Sequence, residues 1–165
     1  MAKEASFDVV STVDLQEVDN AYQQTAREMT QRYDLKGSGA KIDFSRGDAT
    51  FTISAPSEFV ANQVIDVLGT KLIRRHVDLQ AIKWNDPIPA AGSTVRVVGT
   101  VVQGIDQDTA KRIAKDIRGL KLKCKPMVEG DKLRVSSASR DVLQQVIAFL
   151  KEQDYGQPLQ YVNYR

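Results

Sequence analysis

The sequence predicts an α+β protein in which one βαββαβ unit occurs twice in tandem. Three observations support this prediction: short β-branched runs, apolar stripes spaced three to four residues apart, and an internal repeat. The 165 residues, of which 42% are hydrophobic and 27% charged, can form one domain or two small ones. This composition predicts buried cores that need no metal or disulfide to hold them.

The internal repeat fills nearly the whole chain. Segment 9–13 reads VVSTV, and segment 97–101 reads VVGTV. Further matches follow in the same order: Gly47-Asp48 with Gly130-Asp131, Ser54-Ala55 with Ser137-Ala138, 63–65 with 145–147, and 79–84 with 159–164. A series of matches in one order predicts a duplication.

Each copy is predicted to begin with a strand and a helix. The β-branched runs 9–13 and 95–102 are typical of strands. Apolar residues then recur at helical spacing over 15–33 and 110–117, and an aspartate stands at the expected cap of each helix.

The rest of each copy is predicted to be a hairpin, a helix and a short strand. Alternating residues flank glycine turns at 46–48 and 129–131, and further helices are expected to begin near Ser57 and Ser139. The Pro-, Gly- and Ser-containing stretch 85–93 is the predicted linker. The order βαββαβ is the ferredoxin-like, or ribonucleoprotein-like, unit, whose antiparallel sheet carries both helices on one face and leaves the other face open.

The open face of the second copy is predicted to be basic. Residues 111–125 hold seven basic side chains and one acidic, whereas the net charge of the chain is only +2. Strand alternation places five basic residues on this face, namely Lys121, Lys123, Lys125, Lys132 and Arg134. We interpret them as phosphate contacts, with Arg134 as a bidentate clamp. The alternative is a solvated basic edge that discourages aggregation.

A second candidate contact is Trp84, which lies close in sequence to Arg74 and Arg75. An indole beside guanidinium groups can stack a purine, and the alternative is an indole that fills the contact between the two copies. The octapeptide of RNA recognition motifs is not matched, because Asp48 and Thr50 stand where stacking aromatics are required. Phosphate-dominated binding of RNA or of a nucleotide stays open.

Catalytic interpretations have little support. The loop 99–105 resembles the glycine-rich loop of acylphosphatases, but Asp106 and Asp108 would repel the anion held there. The chain has one histidine, His76, and one cysteine, Cys124, which excludes mechanisms with two histidines and multi-cysteine metal sites. We therefore expect no catalytic residue, cofactor or metal.

The predicted location is the cytoplasm. The longest apolar runs fall short of the ~18 residues of a membrane span. Residues 1–6 contain no apolar core of a secretion signal.

Six segments spread over the full length carry a family resemblance. They are 6–11 (SFDVVS), 33–37 (YDLKG), 103–105 (QGI), 121–123 (KLK), 130–135 (GDKLRV) and 156–165 (GQPLQYVNYR). They resemble the YajQ family of small bacterial nucleotide-binding proteins. The resemblance implies two ferredoxin-like domains with exchanged first strands. The implied first domain is 15–104 with strand 95–102, and the implied second is 1–14 plus 105–165 with strand 7–13, joined by a linker at about 85–93.

The resemblance also implies a function, the binding of nucleotides without catalysis. The candidate ligands are GTP, ATP, cyclic di-GMP and tRNA, and the binding is expected to regulate transcription through a protein partner such as a transcription factor. We assign outer ligand contacts to Lys36, Arg74, Arg75 and Arg165. The alternatives are a protein-interaction adaptor without a nucleotide ligand and, third, an acylphosphatase-like enzyme.

Overall fold

A computed structural model describes residues 4–165 of the chain. Two sheets and four helices make up this part, which confirms the predicted α+β class. The chain divides into two compact units. We call Val13–Val102 the central unit, because it comes from the middle of the chain, and residues 4–12 with Gln103–Arg165 the split unit.

The elements follow one another in the predicted order, with one additional short strand. In chain order they are β1 (Ala5–Val10), α1 (Leu15–Gln31), β2 (Lys41–Ser45), β3 (Thr50–Ala55), α2 (Glu58–Arg74), β4 (Ile82–Trp84), β5 (Ile88–Ala90), β6 (Thr94–Val101), α3 (Gln107–Gly119), β7 (Lys125–Glu129), β8 (Lys132–Ser137), α4 (Arg140–Lys151) and β9 (Gln160–Val162).

The central unit has an antiparallel sheet in the order β2-β3-β6-β4, and β5 also pairs with β6. Asp14 caps α1 by accepting hydrogen bonds from backbone amides, and Ser57 caps α2 in the same way. The inner face of the sheet packs against both helices, because apolar residues alternate along the strands and recur at helical spacing. Buried residues of this core include Val18, Phe51, Ile53, Leu68 and Val97.

The split unit has an antiparallel sheet in the order β7-β8-β1-β9. Asp106 caps α3 and Ser139 caps α4, again by accepting backbone hydrogen bonds. Its core is formed in the same manner, and buried residues include Phe7, Val9, Ile113, Leu133 and Leu150. Strand β1, from the start of the chain, is a central strand of this sheet, and β6 is a central strand of the other.

Three local predictions were wrong. The first strand, predicted over residues 9–13, spans Ala5–Val10 and ends before Ser11. The strand predicted to include residues 121–124 begins only at Lys125, because Lys121 adopts a left-handed backbone (φ 56°) just after α3 and turns the chain. The predicted linker 85–93 contains strand β5, which pairs with the following strand β6. None of the helices within residues 4–165 is long and apolar enough to cross a membrane.

Candidate phosphate-binding surface

The open face of the split unit carries a row of cross-strand neighbours. Arg134 on β8 lies opposite Asp8 on β1, and Asp8 lies opposite Val162 on β9. The flanking residues Leu133 and Val135 are fully buried on the helix side. Alternation therefore puts Arg134 and its strand neighbour Lys132 on the face away from the helices, as the sequence predicted.

Asp8, together with Glu129, balances the charge of these two cations. The Asp8 side chain is only 2% exposed, and its carboxylate accepts hydrogen bonds from Lys132 Nζ at 3.4 Å, Arg134 Nε at 3.2 Å and Asn163 Nδ2 at 2.8 Å. Glu129 also lies 3.6 Å from Arg134 Nη1. Burial acts to raise the pKa of the Asp8 carboxyl, but its three donors outweigh burial, so the pKa lies below the ordinary value. Lys132 and Arg134 are thus held within the protein's own ion-pair network.

A β-bulge brings the third donor to Asp8. Asn163 has a left-handed backbone (φ 58°), a conformation that asparagine tolerates better than most residues. Ser6 exchanges both backbone hydrogen bonds with Arg165, whereas Asp8 faces Val162, so the end of the chain carries one extra residue against β1. The extra residue directs the Asn163 amide onto the open face.

The sequence offered a signal for Asp8 that was missed. Asp8 stands alone between the apolar residues Phe7 and Val9, so alternation along the first strand already places it on the open face. Only the strand pairing shows that it lies opposite Arg134.

The other three predicted cations form what we call the lysine segment: Lys121, Lys123 and Lys125. All three are exposed, and the intervening Leu122 and Cys124 are partly buried against the core of the split unit. Exposure therefore alternates as predicted, although the first part of the segment is not a strand. Within residues 4–165, no carboxylate oxygen lies within 4.0 Å of any of the three ammonium groups.

The backbone of the lysine segment is anchored at its first residue and at its middle residue. The amide of Lys121 donates to the carbonyl of Arg118 at 3.1 Å, and the Ser137 hydroxyl donates to the carbonyl of Lys123 at 2.7 Å. Burial raises the pKa of the Cys124 thiol, so this cysteine is a weakly reactive packing residue. Exposed cations of α3 precede the segment, namely Lys111, Lys115 and Arg118.

The outer candidates are spread over both units. Lys36 and Arg74 are exposed in the central unit. Arg75, in the same unit, forms an ion pair with Glu17 at 3.0 Å. Arg165 is exposed in the split unit.

Trp84 packs into the core of the central unit. It is partly buried on β4 opposite Gly99 of β6, and its ring lies 6.0 Å from that of Phe51. A Cβ on Gly99 would come within 2.6 Å of the indole carbons. One face of the ring therefore covers Gly99, and only a glycine leaves room for it.

The loop that resembles an acylphosphatase loop uses its amides internally. The Gly104 amide donates to the Ser11 carbonyl at 2.7 Å, and the Ile105 amide donates to the Asp131 carbonyl at 2.8 Å. The Asp106 carboxylate accepts from the Thr109 amide at 2.7 Å, which lowers its pKa and keeps it charged. These two amides are therefore engaged and do not form a phosphate cradle. Residues 4–165 contain no cluster of three His, Cys, Asp or Glu residues able to hold a metal ion.

Comparison with known proteins identifies the family. The sequence model of the family described as nucleotide-binding protein YajQ-like matches residues 5–165. The chain belongs to this family. The match covers both units, so the resemblance carried by the six sequence segments is confirmed.

Individual named relatives also match the chain over nearly its full length. The chain is 48% identical over 163 residues to a nucleotide-binding protein of Nocardia farcinica, covering 98% of this chain and 99% of the relative. It is 48% identical over 160 residues to one of Magnetococcus marinus, covering 97% and 98%. It is 43% identical over 165 residues to one of Desulfitobacterium hafniense, covering both chains completely.

Proposed function

We propose that this protein binds nucleotides or RNA through their phosphate groups and catalyses no reaction on them. The observation that carries the proposal is the lysine segment, three exposed ammonium groups without a carboxylate partner in the described chain. The family and its named relatives, which are called nucleotide-binding proteins, support the same class of ligand.

The ligand relieves a charge imbalance on the split unit. Like charges on one short segment repel one another, and a phosphate between them replaces this repulsion with attraction. Lys132 and Arg134 do not supply this attraction, because they already form ion pairs with Asp8 and Glu129.

Among the candidate ligands GTP, ATP, cyclic di-GMP and tRNA, the lysine segment favours the polymer. Its lysines are exposed point charges without a stacking aromatic among them, which suits backbone phosphates more than a single base. A regulatory role in the cytoplasm, acting on transcription through a protein partner, is the biological context that we propose for this binding.

Absence of catalysis is supported by the acylphosphatase-like loop. The amides of Gly104 and Ile105 donate to carbonyls of the split unit and are not free for a substrate phosphate.

We also propose that the two units arose by duplication and exchanged their first strands. The supporting observation is that β1 pairs with β8 and β9, whereas β6 pairs with β3 and β4. The two sheets thus have the same strand order, and the central strand of each comes in the sequence just before the first helix of the other unit: β1 precedes α1, and β6 precedes α3. The proposed domains are 15–104 and 1–14 plus 105–165.

The phosphate proposal is tested by charge reversal within the lysine segment. Binding of labelled tRNA, GTP, ATP and cyclic di-GMP is measured by fluorescence anisotropy at several salt concentrations, with wild type and with K121E/K123E/K125E. The wild type is expected to lose tRNA affinity with a log–log salt slope of about −2, as three phosphate contacts on a single strand predict. The triple variant should lose tRNA binding.

The matched control is R27E/K83E/K151E, which changes the net charge equally at three other exposed cations. It should bind tRNA nearly as well as the wild type. Arg134 is unsuitable for charge reversal, because a new carboxylate beside buried Asp8 would destabilise the fold. A loss of binding by that variant would then report unfolding and not the loss of a contact. If the triple variant and the control bind alike, the lysine segment is not the site. If no nucleotide or RNA binds the wild type, the phosphate proposal is wrong and the alternative, a protein-interaction adaptor without a nucleotide ligand, replaces it.

A further inference from the structure

The sheet of the central unit has an open edge at β2. Strand β2 pairs with β3 on one side, and within residues 4–165 no strand pairs with its other side. In this part of the chain, residues 41–45 make no backbone hydrogen bond outside the pair with β3. Only every second residue of an antiparallel strand bonds to a given neighbour, so the remaining amides and carbonyls of β2 point outward without a strand partner.

The other edge strands of the two sheets carry features that discourage an added strand, and β2 does not. Strand β7 contains Pro126 and strand β5 contains Pro89, and β4 and β9 are three residues long. Proline lacks a donor amide, and a very short strand offers few hydrogen bonds. Strand β2 has five residues and no proline, so its edge is able to pair with a further strand.

The charges of β2 define which strand would fit. Lys41 and Asp43 are both exposed and stand two residues apart, so they share the open face. Within the sheet they lie opposite the neutral residues Ser54 and Thr52, and neither has an ion-pair partner within 4.0 Å in residues 4–165. Opposite charges across a strand pair stabilise it, and like charges destabilise it. A fitting strand therefore carries an acid opposite Lys41 and a base opposite Asp43.

Strand β2 of a second copy meets this requirement in one antiparallel register. When Ile42 lies opposite Ile42 of the second copy, Lys41 of each copy lies opposite Asp43 of the other. A shift of the register by two residues places either the two Lys41 side chains or the two Asp43 side chains opposite each other. A shift by one residue would turn the apolar residues of one copy toward the wrong face. Charge and face together select the register centred on Ile42.

The helix side of β2 has room for the second copy. A groove of 470 Å³ lies between α1 and β2, and its apolar lining includes Ala26, Met29, Leu35 and Ala40. In the register centred on Ile42, the small Ala40 lies opposite the large Phe44 of the second copy. Residues directly opposite in an antiparallel pair point to the same face, so each Phe44 lies beside the groove of the other copy.

We infer that two copies of this chain associate by antiparallel pairing of β2 with β2, which joins their central sheets into one sheet. The inference is independent of the proposed phosphate binding, because it involves a different unit and no ligand. A pair of short strands is a small contact, so the association is weak and the dilute chain is monomeric.

The test is sedimentation velocity of the full chain at increasing concentration up to about 1 mM. The wild type should shift from monomer to dimer. K41E and D43K each place like charges opposite each other twice, so each should weaken the association at least about tenfold. The matched controls K83E and D86K reverse exposed charges of the same unit outside β2, and they should associate like the wild type.

The decisive arm mixes the two single variants. In a mixed pair, the two acids of K41E lie opposite the two bases of D43K. An equimolar mixture should therefore dimerise at least as tightly as the wild type, although each variant alone stays monomeric. K41E/D43K exchanges the two signs within one chain and should recover self-association.

Three outcomes would each overturn the inference: a wild type that stays monomeric over the whole concentration range, single variants that associate like the wild type, or a mixture that stays monomeric. Circular dichroism checks that every variant is folded. If a single variant loses its native spectrum, K41Q and D43N replace the charge reversals. Each should then weaken self-association at least about threefold, and association equal to that of the wild type would overturn the inference.

Discussion

The two sheets have the same strand order but differ at matched positions of their central strands. In the split unit, Val9 lies between Leu133 and Tyr161. At the same place in the central unit, Gly99 lies between Phe51 and Trp84. One sheet fills this position with a medium side chain, and the other leaves it empty so that an indole can lie over the backbone.

The next position along each central strand differs in charge. Asp8 lies opposite Arg134 in the split unit, whereas Val98 lies opposite Thr52 in the central unit. The comparison shows that side chains compensate one another across strands: the large ring requires the glycine, and the arginine is accompanied by the buried aspartate. In the split unit, the sheet cations Lys132 and Arg134 are therefore paired, whereas the cations of the lysine segment are not.

The largest expected effect comes from two fragments of the chain, one that keeps the paired strands of the central sheet together and one that separates them. Val13–Val102 contains β6 with its partners β3 and β4, so it should fold as a cooperative domain. Fragment 1–93 contains β1 in place of β6 and should not, because the exchanged arrangement gives β1 no partner in the central sheet. Thermal unfolding followed by circular dichroism distinguishes them. Cooperative folding of fragment 1–93 would contradict the strand exchange.

Gly99→Ala is expected to destabilise the central unit alone. The added Cβ would lie 2.6 Å from the Trp84 ring, and such overpacking costs about 3 kcal/mol of unfolding free energy. Hydrogen exchange should show faster exchange in β3, β4 and β6 and little change in β8. Gly47→Ala is the control, because a Cβ there meets nothing within 4 Å. Equal destabilisation by the two changes would contradict the tight packing at Gly99.

Asp8→Asn is expected to destabilise the split unit by about 2 kcal/mol, because the charge that holds Lys132 and Arg134 is lost. Chemical denaturation at pH 7 measures the effect. Asp43→Asn serves as the control, since Asp43 is an exposed carboxylate on the other sheet. A loss no greater than that of the control would mean that the Asp8 network contributes nothing to stability.

The Asp8 effect should also depend on pH with a defined sign. The pKa of Asp8 is lowered on folding, so its contribution is complete above the ordinary value near 3.8 and is lost as the pH falls through the folded value. The difference in unfolding free energy between wild type and Asp8→Asn should therefore be constant from pH 7 to 5 and shrink below pH 4. A difference that grows on acidification would contradict this assignment.

Tyr155→Phe should give the smallest effect, about 1 kcal/mol in the split unit. The Tyr155 hydroxyl donates to the Asp116 carboxylate at 2.7 Å, and burial together with that carboxylate raises the pKa of the phenol. Chemical denaturation measures the loss. Tyr33→Phe, at a phenol that is 99% exposed, should leave stability unchanged. No difference between the two variants would mean that the hydrogen bond from Tyr155 to Asp116 is not stabilising.

Local patterns in the sequence determined the element types, because alternation and helical spacing act within a few residues. Asp14, Ser57, Asp106 and Ser139 cap the four helices as expected. The exposure of Lys121, Lys123 and Lys125 follows from the same local rule.

The tertiary structure decided the register and the charge partners. The repeat matched Ser54-Ala55 with Ser137-Ala138, but the buried member is the second residue of the first pair, Ala55, and the first residue of the second pair, Ser137. The reason is that the turn before β3 has more residues than the turn before β8. Asp8 and Arg134 are far apart in the sequence and meet only through the pairing of β1 with β8. Strand pairing joins residues that no local pattern relates, so the sequence identified the cations but only the fold showed which of them are neutralised.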